Sequence, residues 1–185
     1  MLTINTLLSN ISKGQSGIPM RIIFQQLENV YKKISSKIRM QKAEFQDGGT
    51  LIYLKIPSED LTTKKFYDVD FWFKSVKRLT QNVEFKVYSN SAKFGYTYAY
   101  LFNKEGSLLF PEKYPKIMLT QPPNVRNPYA AIGFDKHVYA GLKFLIKKDL
   151  SNLVASSNPK TVVDVLDFET KMKEVAKRSK KTYKK

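Results

Sequence analysis

"YDVDFWFKSVKRLTQNVEFK" occupies residues 67 to 86, and its period decides the fold. Tyr67, Val69, Phe71 and Phe73 alternate with Asp68, Asp70 and Trp72. Val83, Phe85 and Val87 then alternate with Glu84, Lys86 and Tyr88. Side chains of an extended strand point to opposite faces in turn, so the stretch reads as two strands with one dry and one wet face.

The same period runs on both sides of it. In "TLIYLKI", residues 50 to 56, Ile52, Leu54 and Ile56 oppose Leu51, Tyr53 and Lys55. In "FGYTYAYLF", residues 94 to 102, five rings (Phe94, Tyr96, Tyr98, Tyr100 and Phe102) oppose Gly95, Thr97, Ala99 and Leu101. "NKEG" at 103 to 106 predicts a turn into a short fifth strand, "SLLF". Short polar connectors suggest an antiparallel meander.

Helical spacing flanks the sheet. Ile4, Leu7, Leu8 and Ile11 predict a short amphipathic helix, broken by "SKGQSGIP". Ser16 and Pro19 are start signals for a second helix, with Ile23, Leu27, Val30, Tyr31, Ile34 and Ile38 on one face, ending before "QDGG" at 46 to 49. Residues 111 to 128 hold five of the eight prolines and read as an extended surface arm. A further helix carries Phe134, Val138, Leu142, Leu145 and Ile146 on one face, and a last one starts near Thr161. The expected architecture is α+β: an antiparallel meander sheet of four to five strands, packed on one face by helices from both ends of the chain. Residues 1–170 form one domain, in which 1–17 are an N-terminal helix and linker and 111–128 the proline-rich arm. Residues 171–185 are a basic tail.

The chain has 185 residues, 32 of them basic and 16 acidic, for a net charge of +16. Such an excess favours polyanionic partners. Lysine supplies 27 of the cations and arginine five, which favours phosphate neutralisation over base reading. There is no cysteine, so disulfides, thiolate zinc sites and cysteine nucleophiles are excluded. A serine hydrolase triad would need the single histidine, His137, whose helix-like setting favours a packing role. "MLTINTLLSN" does not read as a signal peptide, and no apolar run is long enough to span a bilayer. The expected location is a host-cell cytoplasm or a virion.

Three stretches could carry function. Asp70, Glu84 and Lys86, with Glu28 as a fourth ligand, resemble the PD-(D/E)xK nucleases over residues 20 to 88. That resemblance implies carboxylates holding Mg²⁺ and a lysine steadying the attacked phosphate. The sequence departs from the family after Glu84-x-Lys86, where a helix is expected and an aromatic alternation follows; cross-strand ion pairing explains the same charges. The ring ladder 94–102 is either a base-stacking platform or a core face, and the lack of interleaved cations favours core. The tail concentrates Lys171, Lys173, Lys177, Arg178, Lys180, Lys181, Lys184 and Lys185 against one acid, a net +7, and suits contact along phosphates.

"YSNSAKFGYTYAYLFNKEG" and "LTQPPNVRNPYAAIGFDKHVYAGLKFL" resemble parts of uncharacterised small basic bacteriophage proteins from AT-rich hosts. The resemblance implies a virion or DNA-packaging protein working beside a genome, with viral protein neighbours or a homo-oligomer. The favoured reading is a non-enzymatic protein that binds nucleic-acid backbone, DNA before RNA, without sequence specificity and without a cofactor. The alternatives are the Mg²⁺-dependent nuclease and a protein–protein adaptor whose charge is incidental.

Overall fold

The structure, a computed structural model, describes residues 1–3, 6, 20–74, 83–123, 127, 133, 135–148 and 163–164. Its centre is a four-strand meander: β2 (Arg39–Gln46), β3 (Gly49–Pro57), β4 (Phe66–Lys74) and β5 (Glu84–Ser89). Two-residue strands extend both edges, β1 (Leu2–Thr3) beside β5 and β6 (Val163–Asp164) beside β2. The sheet order is β1-β5-β4-β3-β2-β6, every neighbouring pair antiparallel.

One face is dry. Ile52, Leu54 and Ile56 from β3, Val69, Phe71 and Phe73 from β4, and Phe85 and Val87 from β5 are all buried on it. Phe71 and Phe73 stack at 5.8 Å between centroids, and Phe73 leans on Phe85 at 6.3 Å. Each such side chain contributes roughly 1.5–3 kcal/mol by leaving water. Two helices cover this face: α1 (Met20–Ile34), which buries Leu27, Tyr31 and Ile34, and a helix late in the chain, Lys136–Lys147, which buries Val138, Ala140, Leu142 and Leu145. At Gly141 of the later helix, a Cβ would meet Phe71 at 3.0 Å and Leu54 at 3.1 Å, so this glycine lets helix and sheet approach closely. The expected α+β sheet with helices from both ends on one face is the observed architecture.

Several local expectations are corrected. The second helix stops at Ile34, and residues 39–46 are β2, a strand that helical spacing had concealed. A bulge between Met40 and Lys42 puts the inward residues Met40 and Ala43 three apart, which mimics a continuing helix. "DG" within "QDGG" is the turn of a two-residue hairpin, with φ of 51° at Asp47 and 72° at Gly48.

Residues 94–102 are not a strand. The chain is helical from α2 (Ala92–Phe94) through a π-helical turn, Gly95–Ala99, into α3 (Tyr100–Lys104). Ser91 caps the start, its hydroxyl accepting the Phe94 N–H at 3.1 Å. Phe94, Tyr98 and Phe102 are buried and four apart. That spacing is a subset of a period of two, so alternating rings satisfied both readings. The expected core role of this ring set holds for these three; Tyr96 is exposed. The short strand expected at 107–110 is a single parallel bridge, Val87 to Leu108.

The proline-rich arm is not irregular throughout. It contains a 3-10 turn, Pro111–Lys113, and α4 (Lys116–Thr120), and buries Tyr114 between them. The Met118 sulfur would lie 2.9 Å from a Cβ at Gly95, so α4 packs directly on the π-helical turn. The helix Lys136–Lys147 is α5. Where the last helix was expected to begin, Val163 and Asp164 instead pair with Ala43 and Lys42. At the N-terminus, Leu2 and Thr3 are strand, while Ile4, Leu7, Leu8 and Ile11 lie outside the described residues, as does the tail 171–185. No described helix is long and apolar enough to cross a membrane.

Candidate nucleic-acid interface

No described helix covers the other face of the sheet, and register arranges its side chains in rows across the strands. One row runs Lys86–Trp72–Leu51, the next Tyr88–Asp70–Tyr53–Lys42, and the third Asp68–Lys55–Arg39. Neighbours within a row of an antiparallel pair lie close enough to interact. Lys55 pairs with Asp68, and at the far end Lys74 pairs with Glu84 at 2.8 Å. Glu44 takes Lys42 at 2.8 Å and the Tyr53 hydroxyl at 2.7 Å.

Cations also lie over rings. The Lys86 ammonium sits 5.5 Å from the Trp72 ring, Lys42 lies 4.7 Å from Tyr53, and Arg39 lies 5.2 Å from Phe66. Lys113, on the 3-10 turn beside β5, lies 4.7 Å from Tyr88 and 3.9 Å from Phe110. Each contact is worth about 0.5–1 kcal/mol where water reaches it. The Trp72 indole lies across the β2–β3 hairpin and donates to the Gln46 carbonyl at 2.8 Å. Tyr53, Trp72 and Tyr88 therefore form a staggered set on three adjacent strands, Trp72 buried and one row away from the half-buried Tyr53 and Tyr88, each ring beneath a lysine.

In the middle of this face is an open cavity of about 560 Å³. Tyr53, Asp68, Tyr88, Lys42 and Lys113 line it together with Asp70, which is only 4% exposed. Burial pushes the Asp70 carboxyl up to about 7, against the opposing pull of Lys113; the Asp68 charge adds to the rise.

The nuclease constellation does not converge. Asp70 stands opposite Tyr88, whereas Glu84 lies at the far end of β5, paired with Lys74, and Lys86 stands opposite Trp72. Glu28 lies in the helix layer on the opposite side of the sheet, where it accepts hydrogen bonds from Tyr139 and Lys143 of α5. Burial works against its ionisation, but those two donors outweigh burial and hold its carboxyl below the ordinary range. Among the described residues no three His, Asp or Glu side chains gather as a metal-ligand set.

His137 has a structural setting. Asp135 caps α5 by accepting the His137 N–H at 2.9 Å, and its carboxylate also meets His137 Nδ1 at 3.1 Å. Both side chains are buried, and Tyr67 packs on the imidazole at 4.1 Å. The eight tail cations, Lys171 to Lys185, lie outside the described residues.

A base-stacking platform was weighed from the sequence only at 94–102, where a core face was favoured and Phe94, Tyr98 and Phe102 are indeed buried. The rings on the other face of these strands are Tyr53 and Tyr88, both half-buried, and Trp72, which is buried. Their signal was present in the alternation, which already put each of them on the wet side beside a lysine. Comparison with protein-family models, with curated proteins and with solved structures found no match.

Proposed function

We propose that this chain is a non-enzymatic binder of nucleic-acid backbone, tolerant of sequence, and that the open sheet face is the contact surface of its folded body. The observation that carries the reading is the half-buried pair Tyr53 and Tyr88 in one cross-strand row, with Lys42 and Lys113 above their rings and Lys86 alongside over the buried Trp72. Aromatic rings accept the faces of unpaired bases, and neighbouring cations take the phosphates between them. Single-stranded DNA is the expected ligand, because a duplex hides base faces. The net charge of +16 and the tail cations supply the long-range attraction. A setting beside a viral genome, implied by the resemblance, fits this chemistry.

The test is a titration of labelled single-stranded and duplex DNA across a salt series, with Mg²⁺ and with EDTA. Binding without cutting, falling steeply with salt and weakened by removal of residues 171–185, is expected. Cutting that needs Mg²⁺ and is lost in Glu84→Ala would replace this reading with the nuclease. Absence of binding at low salt would leave the protein–protein adaptor.

A further inference from the structure

The centre of the open face is chemically mixed. The floor is a carboxylate that is nearly inaccessible, the walls are two phenol rings, and the rim is cationic. Among the described residues, Asp70 makes no ion pair within 4 Å; its carboxyl accepts a backbone hydrogen bond from Leu54, while Lys42, Lys55, Asp68 and Lys113 stand around the cavity or in the adjoining row. Tyr53 spends its hydroxyl on Glu44. Tyr88 meets Phe110 edge-on at 5.8 Å. A buried carboxyl with one backbone donor and no cation in contact still has acceptor capacity to fill, and such groups concentrate at ligand sites.

A ligand that fits must be flat and apolar on its faces, bear N–H donors at one end and carry negative charge at the other. A nucleotide meets all three conditions, and the cavity is within the usual size range for small-molecule sites. The bases differ at the edge that would meet Asp70. Adenine and cytosine each place one amino donor beside a ring-nitrogen acceptor. Thymine places one N–H between two carbonyl acceptors. Guanine alone offers two adjacent donors, N1–H and the 2-amino group, which match the two oxygens of an ionised carboxylate.

We infer that the cavity between Tyr53 and Tyr88 holds one unpaired guanine, with the Asp70 carboxylate accepting from N1–H and the 2-amino group, and with Lys42 and Lys113 turning from the ring faces to the flanking phosphates. The inference rests on the proposed function and adds one position of base preference to an otherwise sequence-tolerant surface. No covalent step is involved. Because the acceptor must be ionised, the preference strengthens as pH rises through the Asp70 titration. Six groups face that titration: Lys42 from β2, Tyr53 and Lys55 from β3, Asp68 from β4, Tyr88 from β5 and Lys113 from the adjoining turn.

The experiment compares a short labelled oligothymidylate with the same oligomer carrying one central dG, or one central inosine, which lacks the 2-amino group. Binding to the full chain is read by fluorescence anisotropy at pH 5.5 and pH 8. The expected result is about tenfold tighter binding of the dG oligomer at pH 8, a smaller ratio at pH 5.5, and an intermediate ratio for inosine. In Asp70→Asn the dG ratio falls to near one at both pH values, with melting curves confirming that the variant is folded. Equal affinities for all three oligomers would overturn the guanine site and leave backbone binding standing. A dG preference that survives in Asp70→Asn would overturn the assignment to this cavity. No binding of any oligomer at low salt would overturn the proposed function together with the inference.

Discussion

Tyr114 holds both backbone groups of Ser89: its hydroxyl donates to the Ser89 carbonyl at 2.8 Å and accepts the Ser89 N–H at 2.9 Å. Ser89 is the last residue of β5, and the partner strand β1 reaches only Glu84 and Phe85. The phenol does for this residue what a neighbouring strand would do, from inside the segment expected to be an irregular arm. Burial raises its ionisation well above the ordinary tyrosine range, so it stays a donor at any working pH. Tyr114→Phe keeps the ring contacts with Phe94 and Tyr88 but orphans two buried backbone groups. A loss of about 1–3 kcal/mol is expected in denaturant unfolding, with faster amide exchange at Ser89.

Gly49 should tolerate no side chain. A Cβ there would lie 2.4 Å from the Phe73 carbonyl oxygen and 2.5 Å from Trp72 Cε2. Gly49→Ala must push the indole off the hairpin and strain its bond to Gln46. The expected cost is about 1–3 kcal/mol, read by denaturation, and a changed emission of the single tryptophan reports the displaced ring.

Asp70 makes the folded state sensitive to pH in the direction opposite to a salt-bridged acid. Its carboxyl titrates at about 7 when folded and at 3.8 in an unperturbed chain. The folded state therefore holds the proton more tightly, and stability falls as pH rises from about 4 to 7. Asp70→Asn should remove this slope and gain about 2–4 kcal/mol at pH 8, less at pH 4. Melting temperatures of both proteins across that range check it; parallel curves would contradict the burial of the carboxyl.

Asp135 carries the opposite sign. Burial opposes its charge, but the hydrogen bonds from His137 prevail and hold its carboxyl below the ordinary value. Its contribution is full above the unfolded value of about 4 and is lost as pH falls through the lower folded value. Asp135→Ala removes the cap of α5 and leaves His137 without its partner. A loss of about 1–3 kcal/mol at pH 7 is expected, with less acid sensitivity than the parent below pH 4.

Lys86→Ala together with Lys113→Ala should leave stability nearly unchanged and weaken single-stranded DNA binding. If each ammonium meets one phosphate, the slope of log K against log salt becomes shallower by about 1.4. An unchanged slope would place the contacts off this face.

The dry face of the sheet was legible because β3, β4 and β5 alternate without interruption, and each inward residue named from the sequence in these strands is buried, except Tyr67 on the rim and Val83 just before β5. β2 was not legible because its bulge at Gln41 breaks the alternation where Ile38 hands over from α1. The helical run 92–104 was misread because rings at every second position include rings at every fourth; Ser91, with a capping hydroxyl, was the discriminating signal. At the candidate site, the outward positions of Tyr53, Trp72 and Tyr88 could be read from alternation. The cavity beside Asp70 could not, since it depends on the register of four strands and on Lys113 arriving from a distant turn. Likewise, Glu84 and Lys86 share a strand face with the right spacing, yet only pairing reveals that Asp70 lies further along it.

The bulge in β2 also bears on how this chain behaves in a crowd. Among the described residues, the outer side of β2 is paired at Lys42 and Ala43, by the two-residue strand β6. The margins of a sheet invite edge-to-edge polymerisation wherever a strand is left unpaired. A kink at Gln41, with Arg39 and Lys42 on either side, throws any incoming strand out of step and places like charges where two copies would meet. The irregularity that concealed this strand from a reader of the sequence also works against stacking of one molecule upon another.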